Sequence, residues 1–370
     1  MKDLSALVIG GGIGGLTAAI ALRQRGFHVD IIEKDPAWSV YGVGIIQQGN
    51  VLRAVDSLGI LDQYIDAGMG FDAVEVFAPD GRRVARVPSH RLLANRPANL
   101  GISRRALQKV LGNAAIEAGA KLRLGVTAAA IDDGPRVRVH FSDRSSGSYD
   151  LVIGADGAYS QTRSMVFPEA SKPQFTGQAV WRYNLPRLPG LDALHAYNGT
   201  IGAGLVPISR ELMYMYLTTP EPDNPRYPRE GLAARMRSKT APCAPAIREL
   251  GNAITDDIGV VYRPMESLLV EGPWHHGRVV LLGDAVHVTT PHLGQGAGLA
   301  IEDSLVLAEE LSNHPDLDTA FTAYRARRFG RCAYIVRESL AICRGQLGQG
   351  PPVDNARATA EMFNVTAQPI

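Results

Sequence analysis

Residues 6–33 decide the fold: Ala6-Leu7-Val8-Ile9-Gly10-Gly11-Gly12-Ile13-Gly14-Gly15-Leu16, a run of helix formers to Arg25, then Gly26 and His28-Val29-Asp30-Ile31-Ile32-Glu33. Ala6–Ile9 is a short apolar run ending on glycines, the pattern of a buried parallel strand. Leu16–Arg25 places Leu16, Ile20 and Ala21 on one helical face and stops at Gly26. His28–Glu33 is the next strand, so the three segments form a βαβ unit with a right-handed crossover. Gly10-Gly11-Gly12-Ile13-Gly14-Gly15 between them satisfies G-x-G-x-x-G. Glycine there permits a tight turn and lets backbone N–H groups approach a pyrophosphate at the positive helix N-terminus. Glu33, followed by Lys34, closes the second strand where an acid can hydrogen-bond a ribose hydroxyl.

The same stretch could be mistaken for a secretory or membrane segment, because Leu4–Leu22 carries no charge. Five glycines interrupt it, Arg23 and Arg25 follow at once, and no A-x-A-like cleavage site stands there. A soluble, cytoplasmic protein is therefore expected. The 38 Lys and Arg residues against 37 Asp and Glu leave a net charge of +1, which argues against a nucleic-acid partner. The three cysteines are too few for a disulfide scaffold and are not at metal-ligand spacings, so no metal is expected. At 370 residues the chain has room for two domains or three.

Further along, Val74–Val87 alternates around a Pro79-Asp80-Gly81 turn and predicts an antiparallel hairpin. Helical pattern returns at Arg104–Ala118, with strands at Lys121–Leu124 and Val137–Phe141. Phe175–Tyr262 mixes aromatic strands with Pro-rich breaks and a helix at Gly231–Lys239. Val279–Leu282 is another buried strand, and helices are expected at Leu299–Leu311 and Leu317–Leu347. Gly348–Ile370 is weakly patterned. The α/β segments lie at both ends of the chain with a mostly antiparallel portion between them, so the domains should be discontinuous.

Two more constellations stand beside the glycine turn. Asp150-Leu-Val-Ile-Gly154-Ala155-Asp156-Gly157-Ala-Tyr-Ser160-Gln-Thr-Arg163 reads as a buried strand ending in a Gly/Asp turn. Arg278-Val-Val-Leu-Leu-Gly283-Asp284-Ala285-Val-His287 continues through Pro291 to Gly294-Gln295-Gly296-Ala297-Gly298 and Glu302-Asp303. There a strand ends on a carboxylate, and a glycine-rich turn opens a second helix N-terminus.

Three motifs in this order, over roughly Leu4–Arg328, resemble the group A FAD-dependent aromatic monooxygenases, the para-hydroxybenzoate, salicylate and urate hydroxylases among them. The resemblance implies a Rossmann-type FAD-binding domain (1–71, 98–174 and 264–345), an inserted mostly antiparallel substrate domain (72–97 and 175–263), C-terminal helices, and a tail at 346–370. Its first motif, with Gly10, Gly12, Ile13, Gly14, Gly15, Glu33 and Lys34, would bind the ADP part of FAD. Asp156 of the second motif is associated with FAD and NAD(P)H. Gly283 and Asp284 would meet the flavin ribose, and Pro291, Gly294, Gln295, Gly296, Ala297 and Gly298 would lie beside the isoalloxazine. Tyr41-Gly42-Val43-Gly44-Ile45 is similar to the family's flavin-flanking Gly-x-Gly-Ile, which brings in Gly44 and Ile45. Arg104 stands where the family's phosphate-reaching arginine does, and Arg105 is the second choice.

The resemblance implies a hydroxylase in which NADH or NADPH reduces FAD, O₂ gives a C4a-hydroperoxyflavin, and the oxygen goes to an electron-rich aromatic or N-heteroaromatic small molecule. The family's usual polar residue after Gly-x-Gly-Ile is replaced by Ile46, so the base is not carried over. Substrate-facing candidates are Gln47, Trp181, Tyr183, Tyr216, Pro291 and His292, and Tyr214 and Tyr183 are the candidate proton-transfer groups. On period-2 strands, one set of these aromatics faces the flavin and the other the reverse side. An epoxidase or reductase on the same scaffold and a non-catalytic flavin-binding sensor are the competing readings. A halogenase is disfavoured because Trp38, Trp181 and Trp274 stand alone. A monomer or homodimer is expected.

Overall fold

The computed structural model describes residues 3–370 apart from 168 and 170. Ser5–Ile9, Ile13–Arg23 and His28–Glu33 form the expected strand, helix and strand, with Ala6 paired to Val29 in parallel register. Strands Leu151–Gly154 and Val279–Leu281 extend the sheet on one side and Lys121–Leu124 on the other, all parallel. Ala6, Leu7 and Val8 are wholly buried, as expected of a parallel strand covered on both faces. The chain therefore returns to this sheet from three separate regions, as the apolar runs at 151–154 and 279–282 required.

The antiparallel portion is an eight-stranded sheet. Its central strands are Val261–Leu269, Gln174–Pro186, Leu212–Pro220 and Gly202–Pro207, and the Ala73–Phe77 and Arg83–Pro88 hairpin forms one edge. One face of it packs on helices Leu232–Lys239 and Pro245–Gly251, burying Trp181, Met213, Met215, Leu217, Met236 and Ile247. The other face looks toward the parallel sheet. A small sheet of Gly44–Gln47, Asn99–Ser103 and Gly68–Phe71 connects the two. Gly101 is one point of contact with the eight-stranded sheet, since a Cβ there would overlap the Pro207 carbonyl.

Helices Gly296–Asn313 and Leu317–Gln346 match the expected C-terminal helices. The weakly patterned tail is a correction: Asn355–Ala367 is a helix. Asp354 caps it by accepting from the Ala356 and Arg357 amides, and Ala358, Met362, Phe363 and Thr366 make its buried stripe. The Pro351-Pro352 break hid this short periodicity. No helix among the described residues is long and apolar enough to cross a membrane.

Candidate active site

The first wall of the cleft is the glycine turn. Gly10 holds φ +113° and its N–H donates to the Ile32 carbonyl at 2.8 Å. A Cβ on Gly15 would overlap the Gly10 carbonyl, so turn and helix meet backbone to backbone. Gly12 is different, because a Cβ there would meet nothing within 4 Å. It is the helix N-cap, with no side-chain capping bond and no acidic residue in the first turn. That leaves the first-turn N–H groups facing open space at the positive end of the helix dipole. Beside them, Glu33 accepts from the Gly11 and Asp35 amides at 2.8 and 2.9 Å. A carboxylate has about four lone-pair sites, so further acceptor capacity remains for hydroxyls. A groove of about 490 Å³ continues past Trp38, Arg105, Gln108 and Lys109. Lys34 is exposed.

The second wall is the Gly283–Ala285 turn. Asp284 is exposed at the surface of this turn, yet the protein packed around it raises its carboxyl above the usual range, against the pull of His287 and Arg104. Arg104 is half-buried, and burial lowers its pKa while Tyr214 and Asp284 oppose the shift. Arg105 is exposed beside Gly42. The turn is held from behind by a buried charge cluster: Asp303 accepts from the Gly283 amide at 3.0 Å, from His287 Nε2 at 2.6 Å and from Arg328 Nε at 2.8 Å. Arg328 also pairs with Glu302 at 2.9 Å, and Arg331 with Glu302 at 2.9 Å.

Asp156 sits elsewhere in this scheme. Its carboxylate accepts from Ser160 Oγ and from the Thr162 amide, so it holds Ser160, the N-cap of the short Gln161–Val166 helix, and one amide of the first turn. Its backbone buttresses Gly10, and Arg163 donates to the Ala285 carbonyl at 2.8 Å, tying the second motif to the third. In the Pro291–Gly298 loop, Gly294 adopts φ +67°. The Gln295 side chain turns inward to Asn50, Gln48 and Met362, which leaves the loop's backbone toward the cleft.

The roof is the inner face of the antiparallel sheet. Register places Asn184 opposite Tyr214, Arg182 opposite Tyr216 and Val180 opposite Thr218, with Val206, Gly204 and Gly202 on the next strand. Asn184 donates to the Gly42 carbonyl at 2.9 Å. Tyr214 lies where a Cβ on Gly44 would stand, and Tyr216 occupies the space over Gly204. At the far end, Gln346 Oε1 lies within hydrogen-bond distance of Gln178 Nε2, Thr218 Oγ1 and His292 Nε2, at 3.0, 3.2 and 3.2 Å. Two buried acceptors on this face, Gln178 Oε1 and Asn184 Oδ1, have no partner among the described residues. The roof thus runs from Gly42–Gly44 to Pro291–His292, the two segments expected to flank the flavin.

Three expectations are corrected. Trp181 and Tyr183 point to the reverse face: Trp181 is fully buried, donates to Thr219 Oγ1 at 2.9 Å, and packs with Tyr227 and Tyr262. Tyr183 joins the same cluster. Gln47 is buried behind its strand, accepting from Tyr64 at 2.7 Å; its neighbour Gln48 reaches the loop instead, donating to the Leu293 carbonyl at 3.0 Å. Tyr214 faces the Gly42–Gly44 segment, where burial pushes its phenol up to about 12. The residue that the sequence reading passed over is Arg182, which lies between two named aromatics and on the opposite face from both.

An uncapped, glycine-lined helix start, a carboxylate at the end of each of two parallel strands and a polar roof with two unpartnered acceptors fit FAD. Fold and site together define the class of FAD-dependent monooxygenases. The FAD binding domain family profile matches residues 3–337, and the chain belongs to that family. It is 32% identical to the aurachin C monooxygenase/isomerase of Stigmatella aurantiaca, over 94% of this chain and 90% of that one. It is also 32% identical to a 2-heptyl-3-hydroxy-4(1H)-quinolone synthase of Pseudomonas aeruginosa, with the same coverage. Among solved structures, Klebsiella pneumoniae HpxO in complex with FAD and uric acid superposes with a TM-score of 0.83 at 26% identity, covering 98% of this chain and 92% of that one.

Proposed function

We propose that the protein hydroxylates an electron-rich aromatic or N-heteroaromatic small molecule, consuming NADH or NADPH and O₂ at its bound FAD. The observation that carries this reading is the polar inner face of the roof, with Arg182, Asn184, Tyr214 and Tyr216 on it and two buried acceptors, Gln178 Oε1 and Asn184 Oδ1, without a partner among the described residues. The named substrates and products of its relatives, urate and 4(1H)-quinolones, are heteroaromatic rings and support it. FAD, when bound, supplies the electron-transfer and oxygen-activating chemistry. Glu33 and Asp284 would hold its ribose-type hydroxyls, the first-turn amides after Gly12 would hold its pyrophosphate, and the Pro291–Gly298 backbone would border its ring. Asn184 and Tyr214 close the roof over Gly42–Gly44 and exclude water from that end. His292, which burial lowers to about 4, is a neutral hydrogen-bonding group at the other end and not a proton carrier near neutrality.

The test is NAD(P)H oxidation by the purified yellow protein over phenols, hydroxypyridines, purines and 4(1H)-quinolones, with hydrogen peroxide measured in parallel. A substrate should stimulate oxidation and appear with one added oxygen. A protein that holds FAD but shows no stimulation by any of the four classes would point to the sensor reading.

Glu33→Ala and Asp284→Ala should each weaken FAD binding by about 10- to 150-fold, the loss of one charge-assisted hydrogen bond of roughly 1.5–3 kcal/mol. Fluorescence titration of the flavin-stripped variants measures this directly. Wild-type affinity in both would remove these residues from the cofactor site.

A further inference from the structure

Arg182 is a cation without an anion. It sits mid-strand on the roof's inner face, directly across from Tyr216. Its guanidinium makes no hydrogen bond or ion pair with any described residue. A guanidinium carries five N–H donors and stays charged, so an unpaired one withdrawn from bulk water is costly and calls for an acceptor. The groups that face it are Tyr214 and Tyr216 from its paired strand and Arg104 from the Arg104–Glu117 helix. On the other side, Val261 stands directly opposite, and Arg263 two residues on is stacked over Tyr41, 4.4 Å from the ring centroid. Burial and Arg104 lower Arg182 to about 10, so it stays protonated through the neutral range. Asp284, on the opposite wall, is matched by Arg104.

Among the described groups that face Arg182, none is a base near neutral pH. Burial pushes Tyr214 up to about 12 and Tyr216 higher still, and His292 lies at about 4. A ring hydroxyl brought up to Arg182 meets a fixed positive charge and, among these groups, no base.

We propose that Arg182 determines substrate class by receiving a ring oxygen as the oxyanion, between Tyr214 and Tyr216. This rests on the reading of the cleft as a hydroxylase chamber. It selects phenolates and the enolates of oxo-heteroaromatic rings, and it disfavours amines and other cations. The hydroxyl proton passes to solvent as the ligand binds, and no covalent bond to carbon forms or breaks in this step. The retained anion leaves the ring more electron-rich, which an oxygen-accepting carbon requires.

The experiment is a titration of the FAD-loaded protein with 4-nitrophenol, buffered where the free probe is mostly neutral, and read as a difference spectrum. Wild type should bind the probe as the phenolate, with affinity rising about tenfold per pH unit as one proton is released. R182Q should bind it about 10- to 100-fold more weakly, as the neutral phenol and without that pH slope. R182K should fall between, and nitrobenzene should bind wild type and R182Q alike. FAD affinity, measured on every variant, should stay at its wild-type value, and melting temperature should not fall, since R182Q removes an uncompensated charge. Neutral phenol bound by the wild type, no saturable binding at millimolar probe, or a phenolate retained in R182Q would each overturn the proposal. So would a loss in R182Q confined to FAD affinity, since the guanidinium would then serve the cofactor's own oxygens. The readout needs no turnover, so a failure of the hydroxylase reading would show separately in the NAD(P)H assay.

Discussion

Arg328→Leu should cost about 3–5 kcal/mol of folding stability, because it removes the one fully buried guanidinium that two buried carboxylates share. Asp303 and Glu302 are both fully buried, and Arg328 pairs with them at 2.8 and 2.9 Å. Arg331 would still hold Glu302, but Asp303 would be left with His287 and the Gly283 amide. The damage reaches the cofactor because Asp303 fixes the turn that presents Asp284. Denaturant melts of the flavin-stripped protein measure the first effect, and FAD titration the second. Arg337→Ala, at an exposed pair with Glu271, is the control and should change little. A loss in Arg328→Leu no larger than in that control would mean the cluster is not holding the fold.

The same cluster sets a pH window. Burial opposes charge on Asp303, but His287 and Arg328 outweigh it and hold the carboxyl at about 2. Burial also opposes the imidazolium of His287, yet Cys332 and Asp303 raise it well above its ordinary value. A depressed carboxyl contributes stability above its unfolded pKa of about 3.9 and loses it as pH falls toward its folded value. A raised imidazole contributes below its unfolded pKa of about 6.5 and loses it as pH climbs through the raised one. The contribution of the pair is therefore full from about pH 4 to 6.5. Asp303→Asn should flatten both limbs of the melting-temperature profile. Unchanged limbs would place the pH dependence elsewhere.

The βαβ unit was readable because three local signals agree: an apolar strand, a glycine turn, and a helix that stops on Gly26. The parallel sheet was readable for the same reason at 151–154 and 279–282. The roof was harder. Alternation in Trp181-Arg182-Tyr183 says that two residues face one way and one the other, but not which way is inward. That is settled by what packs beneath, and here the apolar helices at 232–239 and 245–251 claim Trp181 and Tyr183. Gln47 failed likewise: one residue of register separates it from Gln48, and Tyr64 took its amide. The charge cluster joins Asp303 to Arg328 across two helices, a pairing that no spacing in the chain marks.

Gly12→Ala and Gly15→Ala should separate what the glycine turn does for the fold from what it does for FAD. A Cβ on Gly15 would overlap the Gly10 carbonyl and lie 3.1 Å from Val8 Cγ1. Backbone cannot step aside as a flexible side chain can, so Gly15→Ala should destabilise the flavin-stripped protein by about 1–3 kcal/mol and disorder the turn as well. Gly12 has an ordinary φ of −87°, and its Cβ would meet no protein atom within 4 Å. Gly12→Ala should therefore leave the melting temperature of the stripped protein unchanged. Its methyl group would instead occupy the space through which a pyrophosphate reaches the first-turn amides. FAD affinity should fall at least tenfold, about 1.4 kcal/mol, in a protein that is otherwise intact. If Gly12→Ala bound FAD as tightly as wild type, the pyrophosphate would have to lie away from this helix start, and the open face of Gly12 would need another explanation.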